Sequence, residues 1–148
     1  SKSTSRLYQG LVVERALAAY AGSSYRSLPL DSSRFYIYAD ALPDIPITEV
    51  EAAIDDVIAE LLENGPSDEE VAAAKGRMQD AVVYTLDNPQ SVASIFGNAL
   101  SVGISVEEIE SWPDRVAAVT RERIMAVSRA VLLLERSVTG ILLPLEEG

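Results

Sequence analysis

From Ser5 to Ala21 the apolar positions run almost without interruption, through Leu7, Tyr8, Leu11, Val12, Val13, Ala16, Leu17, Ala18, Ala19 and Tyr20. Placed on one helix at about 100° per residue, they leave no broad polar face, and Arg6, Gln9, Glu14 and Arg15 fall in different quarters of the wheel. The pattern predicts a single helix that needs cover on most sides, with Ser5 as its N-cap and Gly22 as its stop. Burying that helix is the organising problem of the chain.

Two strands are expected next, Ser23 to Leu28 and Ser33 to Ala41, joined around Pro29, Leu30 and Asp31. In the second, Phe35, Ile37 and Ala39 alternate with Tyr36 and Tyr38, the period of a sheet with one face on a core. The two tyrosines share the opposite face. A half-covered sheet surface is the simpler account of them, and a stacking platform for a ligand is the alternative.

The remainder reads as helices. Thr48 with Glu51 has capping-box spacing, and Val50, Ile54, Val57, Ile58, Leu61 and Leu62 form one apolar stripe. Asn64-Gly65-Pro66 ends that helix, and Ser67 with Glu70 offers a second capping box. Asp68 to Leu86 turns Val71, Ala74, Met78, Ala81, Val82 and Thr85 to one side, and Asp87-Asn88-Pro89 breaks it. Pro89 to Val102 is expected to bury Val92, Ile95, Phe96, Ala99 and Leu100. A short helix spans Val106 to Ser111, Trp112-Pro113 turns the chain, and Thr120 caps a last helix with Ile124, Val127 and Val131 inward. Ser137 to Leu143 is apolar on both faces, as a strand between neighbours would be. The order implies an α+β fold, helices packed on a mainly antiparallel sheet, in one domain over residues 1–148. Three strands are few for that last one to be interior, so a further strand is expected before Ser1.

Composition narrows the chemistry. Twelve basic residues against 23 acidic ones give a net charge of −11, and no basic patch exists to neutralise a phosphate backbone or an anionic membrane. With no histidine and no cysteine, imidazole bases, Ser-His-Asp devices and His- or Cys-ligated zinc are all excluded. No apolar run is long enough to span a membrane. The acidic group Glu49, Glu51, Asp55, Asp56 and Glu60 lies opposite a complete apolar stripe, which reads as a solvated face rather than a calcium loop. Asp68, Glu69 and Glu70, like Glu107, Glu108 and Glu110, suit helix starts. Arg121, Arg123, Arg129 and Arg136 are spread by helical periodicity. The run Gly97 to Gly103 matches neither a P-loop nor a dinucleotide fingerprint. Ser5, Arg6 and Tyr8 beside a helix start could hold a peptide or carboxylate. No catalytic constellation emerges from the residues.

Four stretches together resemble the pitrilysin/insulinase-type zinc peptidases, which carry an inverted zinc motif. Trp112-Pro113-Asp114-Arg115-Val116 with Val119-Thr120 is similar to their Trp-Pro-Asp-x-Ile...Val-Thr segment, and Ser137 to Pro144 to their closing strand. Asn64 to Glu70 with Ala74-Lys75 resembles their Gly-x-Thr-x-x-Glu-Leu-x-x-Ala-Lys helix start. Ser5-Arg6-Leu7-Tyr8-Gln9 resembles a Ser-Ser-Arg-Leu-Tyr opening. The resemblance runs from Ser1 to about Leu145 and implies the C-terminal, non-metal half of a longer bacterial peptidase chain, beginning one strand late.

In that family a homologous partner domain or subunit carries His-x-x-Glu-His, and its zinc activates water with the motif's glutamate as base. The resemblance therefore places zinc in the partner and no cofactor here, and it implies a peptide substrate and a periplasmic or cytoplasmic setting in a bacterium. This piece alone is expected to be inactive. Many active members place Arg and Tyr seven residues apart within Leu-Arg-Glu...Gly-Leu-Ala-Tyr. Here those positions are Val12 and Ala19, so the substrate clamp is missing or is supplied from elsewhere. Arg6, Tyr8 and Tyr20 remain as substrate-binding candidates lining a cavity, and no catalytic or metal-ligating residue is assigned. A non-catalytic scaffold homologue that pairs with an active subunit is the alternative, and an unrelated acidic interaction domain is a third. Apolar area left on a half-domain would favour homodimers.

Overall fold

The computed structural model describes residues 5–25 and 33–143, without the side chains at 83, 84 and 86. Helix α1 (Arg6–Tyr8) widens into a π turn (Gln9–Glu14) and is followed by strands β1 (Ala18–Tyr25) and β2 (Phe35–Ala41). Then come helices α2 (Ile47–Asn64), α3 (Asp68–Leu86), α4 (Pro89–Ser101), α5 (Val106–Glu110), α6 (Trp112–Ala117) and α7 (Arg121–Val131), and a 3-10 turn (Leu134–Arg136). The strands pair as a two-stranded antiparallel sheet, and the class is α+β as expected. The turn expected around Pro29 to Asp31 lies outside the described residues.

The single helix expected from Ser5 to Ala21 is not formed. Ser5 does cap, its hydroxyl accepting from the Tyr8 amide at 3.3 Å. The helical stretch then ends at Glu14, and Gly22 sits inside β1 instead of stopping a helix. The break is at Ala16, with φ of 50°, where the Leu17 amide donates to the Leu11 carbonyl at 2.8 Å. Left-handed backbone costs a residue with a Cβ about 1–2 kcal/mol, and packing offsets it by bringing Leu11 and Leu17 into one core. The wheel showed no polar face because two elements were superposed on it, a helical stretch up to Glu14 and a strand from Ala18.

The described residues divide into two compact units, 5–23, 37–64 and 126–143 in the first, and 24–25, 33–36 and 65–125 in the second. In the first, fully buried Leu11 is joined by Leu17, Ala18, Ala21, Val50, Ala53 and Val57, with Ala39, Ala41 and Ile54 packed against them. The stripe read on α2 thus faces the sheet and the π turn. Thr48 lies within the first turn of α2, which already begins at Ile47, so it is not the cap. Arg6 meets Glu60 at 3.6 Å and Arg15 donates to Asp56 at 2.7 Å, clipping the chain's first turns to the acidic side of α2. Both pairs are largely solvated, which limits each to under about 1 kcal/mol.

The closing strand is the second correction. Residues 137–143 belong to no strand, and Val138 and Leu142 are 97% and 95% exposed. Val127 and Val131 of α7 are exposed rather than inward, and only Ile124 is half-buried. A two-stranded sheet is too narrow to cover both faces of another apolar strand.

In the second unit, helix starts and stops follow local chemistry closely. The Ser67 hydroxyl accepts from the Glu70 amide at 3.1 Å while Glu70 Oε2 accepts from the Ser67 amide at 2.7 Å, the capping box read in the sequence. Ser105 and Glu108 form another at α5, which the sequence reading missed. Asn88 caps α4, and α4 ends in a Schellman turn, where Gly103 (φ 85°) donates to Leu100 and Ile104 to Ala99. Trp112-Pro113, expected as a turn, instead opens α6, because a proline at a first helical position forfeits no hydrogen bond. The inward faces expected on α3 and α4 are only partly realised. Ala99 is buried, but Met78, Ile95 and Leu100 are exposed.

Candidate functional site

The three residues marked as substrate-binding candidates do not share one helix. Arg6 projects from α1 toward Glu60 of α2. Tyr8, two positions on, points about 200° away around the same turn. Tyr20 lies on β1, where its ring stacks on Tyr38 of β2 with centroids 5.7 Å apart and planes at 18°. The two hydroxyl oxygens are 3.5 Å apart. Gly22 makes room for this pair, since a Cβ there would lie 2.9 Å from the Tyr38 hydroxyl. The stacked pair therefore occupies the sheet face turned away from Ala39 and Ala41. The alternation in β2 announced Tyr38 on that face; Tyr20 was missed as its partner because the stretch before it was read as helical.

The clamp positions are accounted for as well. Val12 is half-buried against the core and Ala19 is exposed on β1, and neither side chain can form an ionic or hydroxyl contact. In the same register the motif's glycine falls at Ala16, the residue found in left-handed backbone.

Zinc does not fit this chain. It has no imidazole or thiolate to offer, and among the described residues no group of three or more carboxylates is gathered as a metal site. The acidic residues of α2 lie on its solvated side, where Asp56 and Glu60 engage Arg15 and Arg6. Two carboxyls are held below their ordinary range. Glu107 is held by its own amide and the Ser105 hydroxyl, and Glu122 by its own amide, the Thr120 hydroxyl and the neighbouring Arg121 charge. Both sit in first turns, so they stabilise helix starts instead of forming an acid–base pair. Among the described residues no helix is long and apolar enough to cross a membrane.

Two of the stretches that carry the family resemblance meet within the second unit. Lys75 Nζ donates to the Ala117 carbonyl at 2.8 Å, at the C-terminus of α6, and Arg121 Nε donates to the Pro66 carbonyl at 2.7 Å. A groove of about 360 Å³ lies there, lined by Asp68, Val71, Lys75, Thr120, Arg121 and Glu122. Each cation holds a backbone carbonyl and each has an acid nearby, so the motif residues lock helices together and leave no net charge for a ligand.

The first 78 residues match the family model described as the Peptidase M16 inactive domain. This chain belongs to that family. Over 129 residues it is 29% identical to an uncharacterised zinc protease of Streptomyces coelicolor, an alignment covering 87% of this chain and 28% of that protein. The chain thus spans little more than a quarter of the curated relative it matches. Among solved structures it resembles the inactive peptidase domain of a candidate zinc protease from Bordetella parapertussis, with TM-score 0.88, 20% identity, and 100% of this chain and 78% of that one covered. A candidate zinc protease from Bordetella pertussis follows at TM-score 0.84 and 20% identity, covering 97% and 77%. A protease from Helicobacter pylori gives 0.79 at 17% identity, covering 88% and 31%. At such identities the solved structures carry the fold alone.

Proposed function

We propose that this M16 inactive domain is the substrate-side half of a longer zinc metalloendopeptidase, residues 1–148 acting with a homologous domain or subunit that holds the zinc. The observation that carries the reading is the family match over a chain that has no imidazole or thiolate to offer a metal. The narrow sheet adds support, because a strand with a ladder neighbour on one side only, as each has among the described residues, can take up an extended peptide by backbone pairing. Tyr20, stacked on Tyr38, would then flank alternate side chains of the peptide, with Arg6 and Tyr8 near the start of the same unit. The test combines the chain with a homologous half bearing His-x-x-Glu-His and follows cleavage of an unstructured peptide. Cleavage by the mixture that neither half shows alone is expected, and an active half unaffected by this chain would overturn the reading.

Val12 and Ala19 favour a second reading. With the clamp pair replaced by aliphatic side chains, the domain would serve as a non-catalytic scaffold that stabilises an active subunit. The same mixture separates the two readings: a scaffold raises the partner's thermal stability without changing its turnover.

The strand expected at residues 137–143 is not in place, so the substrate-side reading draws no support from it. It rests on the family match and the open sheet edges.

A further inference from the structure

Tyr38 and Asp40 stand two positions apart on β2 and share the sheet face turned away from Ala39 and Ala41. Tyr20 backs one side of the Tyr38 ring, and Gly22 sets no side chain against its hydroxyl end. Tyr38 is still 37% exposed and Asp40 is exposed, so ring and carboxylate both meet solvent. The ion pairs that tie the chain's first turns to α2 use Asp56 and Glu60, not Asp40.

The charge around this face has one sign. From Ile37 to Asn64, all within the first unit, there are eight carboxylates and no lysine or arginine. The cation that precedes them along the chain is Arg34, four positions before Tyr38 and so up to about 13 Å away in extended backbone. An aromatic ring presents a negative face, so Tyr38 adds to the same sign. Ring and carboxylate, about 7 Å apart along the strand, suit the apolar stem and charged head of one long cationic side chain, whose head is attracted within about 6 Å of a ring. An acidic side chain is repelled there, and a neutral one gains nothing from Asp40.

We propose that the Tyr38–Asp40 face selects a lysine or arginine side chain, so that the extended peptides held on β2 are basic ones. The inference rests on the substrate-side reading and adds the substrate class to it. A peptide strand paired with β2 sets its side chains about 5 Å from those opposite, which brings every second one to the face that Tyr38 and Asp40 share. Charge complementarity picks this occupant over the chain's own residues 138–143, which carry no charge.

The test is fluorescence anisotropy with the 148-residue chain and three labelled peptides, at low and high salt. One alternates lysine with threonine, the second has glutamine for each lysine, and the third has the sequence Ser137 to Leu143. The lysine peptide should bind at least about tenfold more tightly than either of the others at low salt, and salt should narrow the gap. Asp40→Asn should weaken the lysine peptide about three- to fivefold and leave the glutamine peptide unchanged, and Tyr38→Leu should act in the same sense. Glu63→Gln removes the same charge from the exposed C-terminal end of α2 and should change affinity less than about twofold. Asp40 is exposed, so its substitution leaves the fold in place even where Tyr38→Leu does not. Equal losses in Asp40→Asn and Glu63→Gln would mean diffuse attraction and overturn the site. Glutamine or Ser137-to-Leu143 peptides binding as tightly as the lysine peptide would overturn the substrate class while the substrate-side reading stands. Binding of none of the three would overturn both.

Discussion

At φ of 50°, Ala16 holds a backbone conformation that glycine adopts freely and alanine does not. It is exposed, so its side chain contributes little packing to compensate. Ala16→Gly should therefore raise stability by up to about 1 kcal/mol, because relief of left-handed strain exceeds the added freedom of the unfolded chain. Urea denaturation measures it, and an unchanged or lower midpoint would show that the strain is not real. The glycine of the family motif falls at this position, the one signal in the sequence that the first helix stops there. Gly22 presents the opposite case. A methyl group at that position collides with the Tyr38 hydroxyl, so Gly22→Ala should break the Tyr20–Tyr38 stack, change the near-ultraviolet tyrosine circular dichroism and cost about 1–3 kcal/mol.

Among the elements, those fixed by their own ends were legible. Ser67, Glu70, Asn64-Gly65-Pro66 and Asn88-Pro89 act on backbone groups within a turn, so they work wherever the helix later packs. Ser67→Ala should cost about 1 kcal/mol through loss of the N-cap of α3, measured by thermal unfolding. Lys75→Met should cost about 0.5–2 kcal/mol, because the ammonium serves the free carbonyl end of α6 and the stem of a methionine does not. Glu107 and Glu122 titrate below their ordinary range, so they favour the folded state above the unfolded carboxylate pKa, and that contribution fades as pH falls through their lowered folded values. Exchanging both for glutamine should make stability less sensitive to pH between about 5 and 3. Strands were less legible. Ala18, Ala19 and Ala21 are good helix formers, and β1 exists because β2 lies beside it, which no local rule records.

For the whole molecule, the inventory of side chains decides more than the fold does. With no imidazole or thiolate, the chain should retain no stoichiometric zinc after dialysis and show no peptidase activity alone. One retained equivalent by elemental analysis would contradict that. Of the candidate residues, the alternation in β2 placed Tyr38 on the face away from Ala39 and Ala41, while Arg6 was found engaging Glu60. The Tyr20–Tyr38 contact was not foreseen, because it joins residues eighteen positions apart across a strand that had been read as helix.

Composition, the Ser5 and Ser67 caps and the apolar stripe of α2 were settled by the sequence, since charge and hydrogen-bonding capacity belong to single residues and a cap reaches only three or four positions along the chain. The extent of the sheet was left to tertiary structure. Whether Ala18 to Tyr25 forms a strand, and whether residues 137–143 find one to lie against, depends on which backbone edges come side by side, and apolar patterning is blind to that.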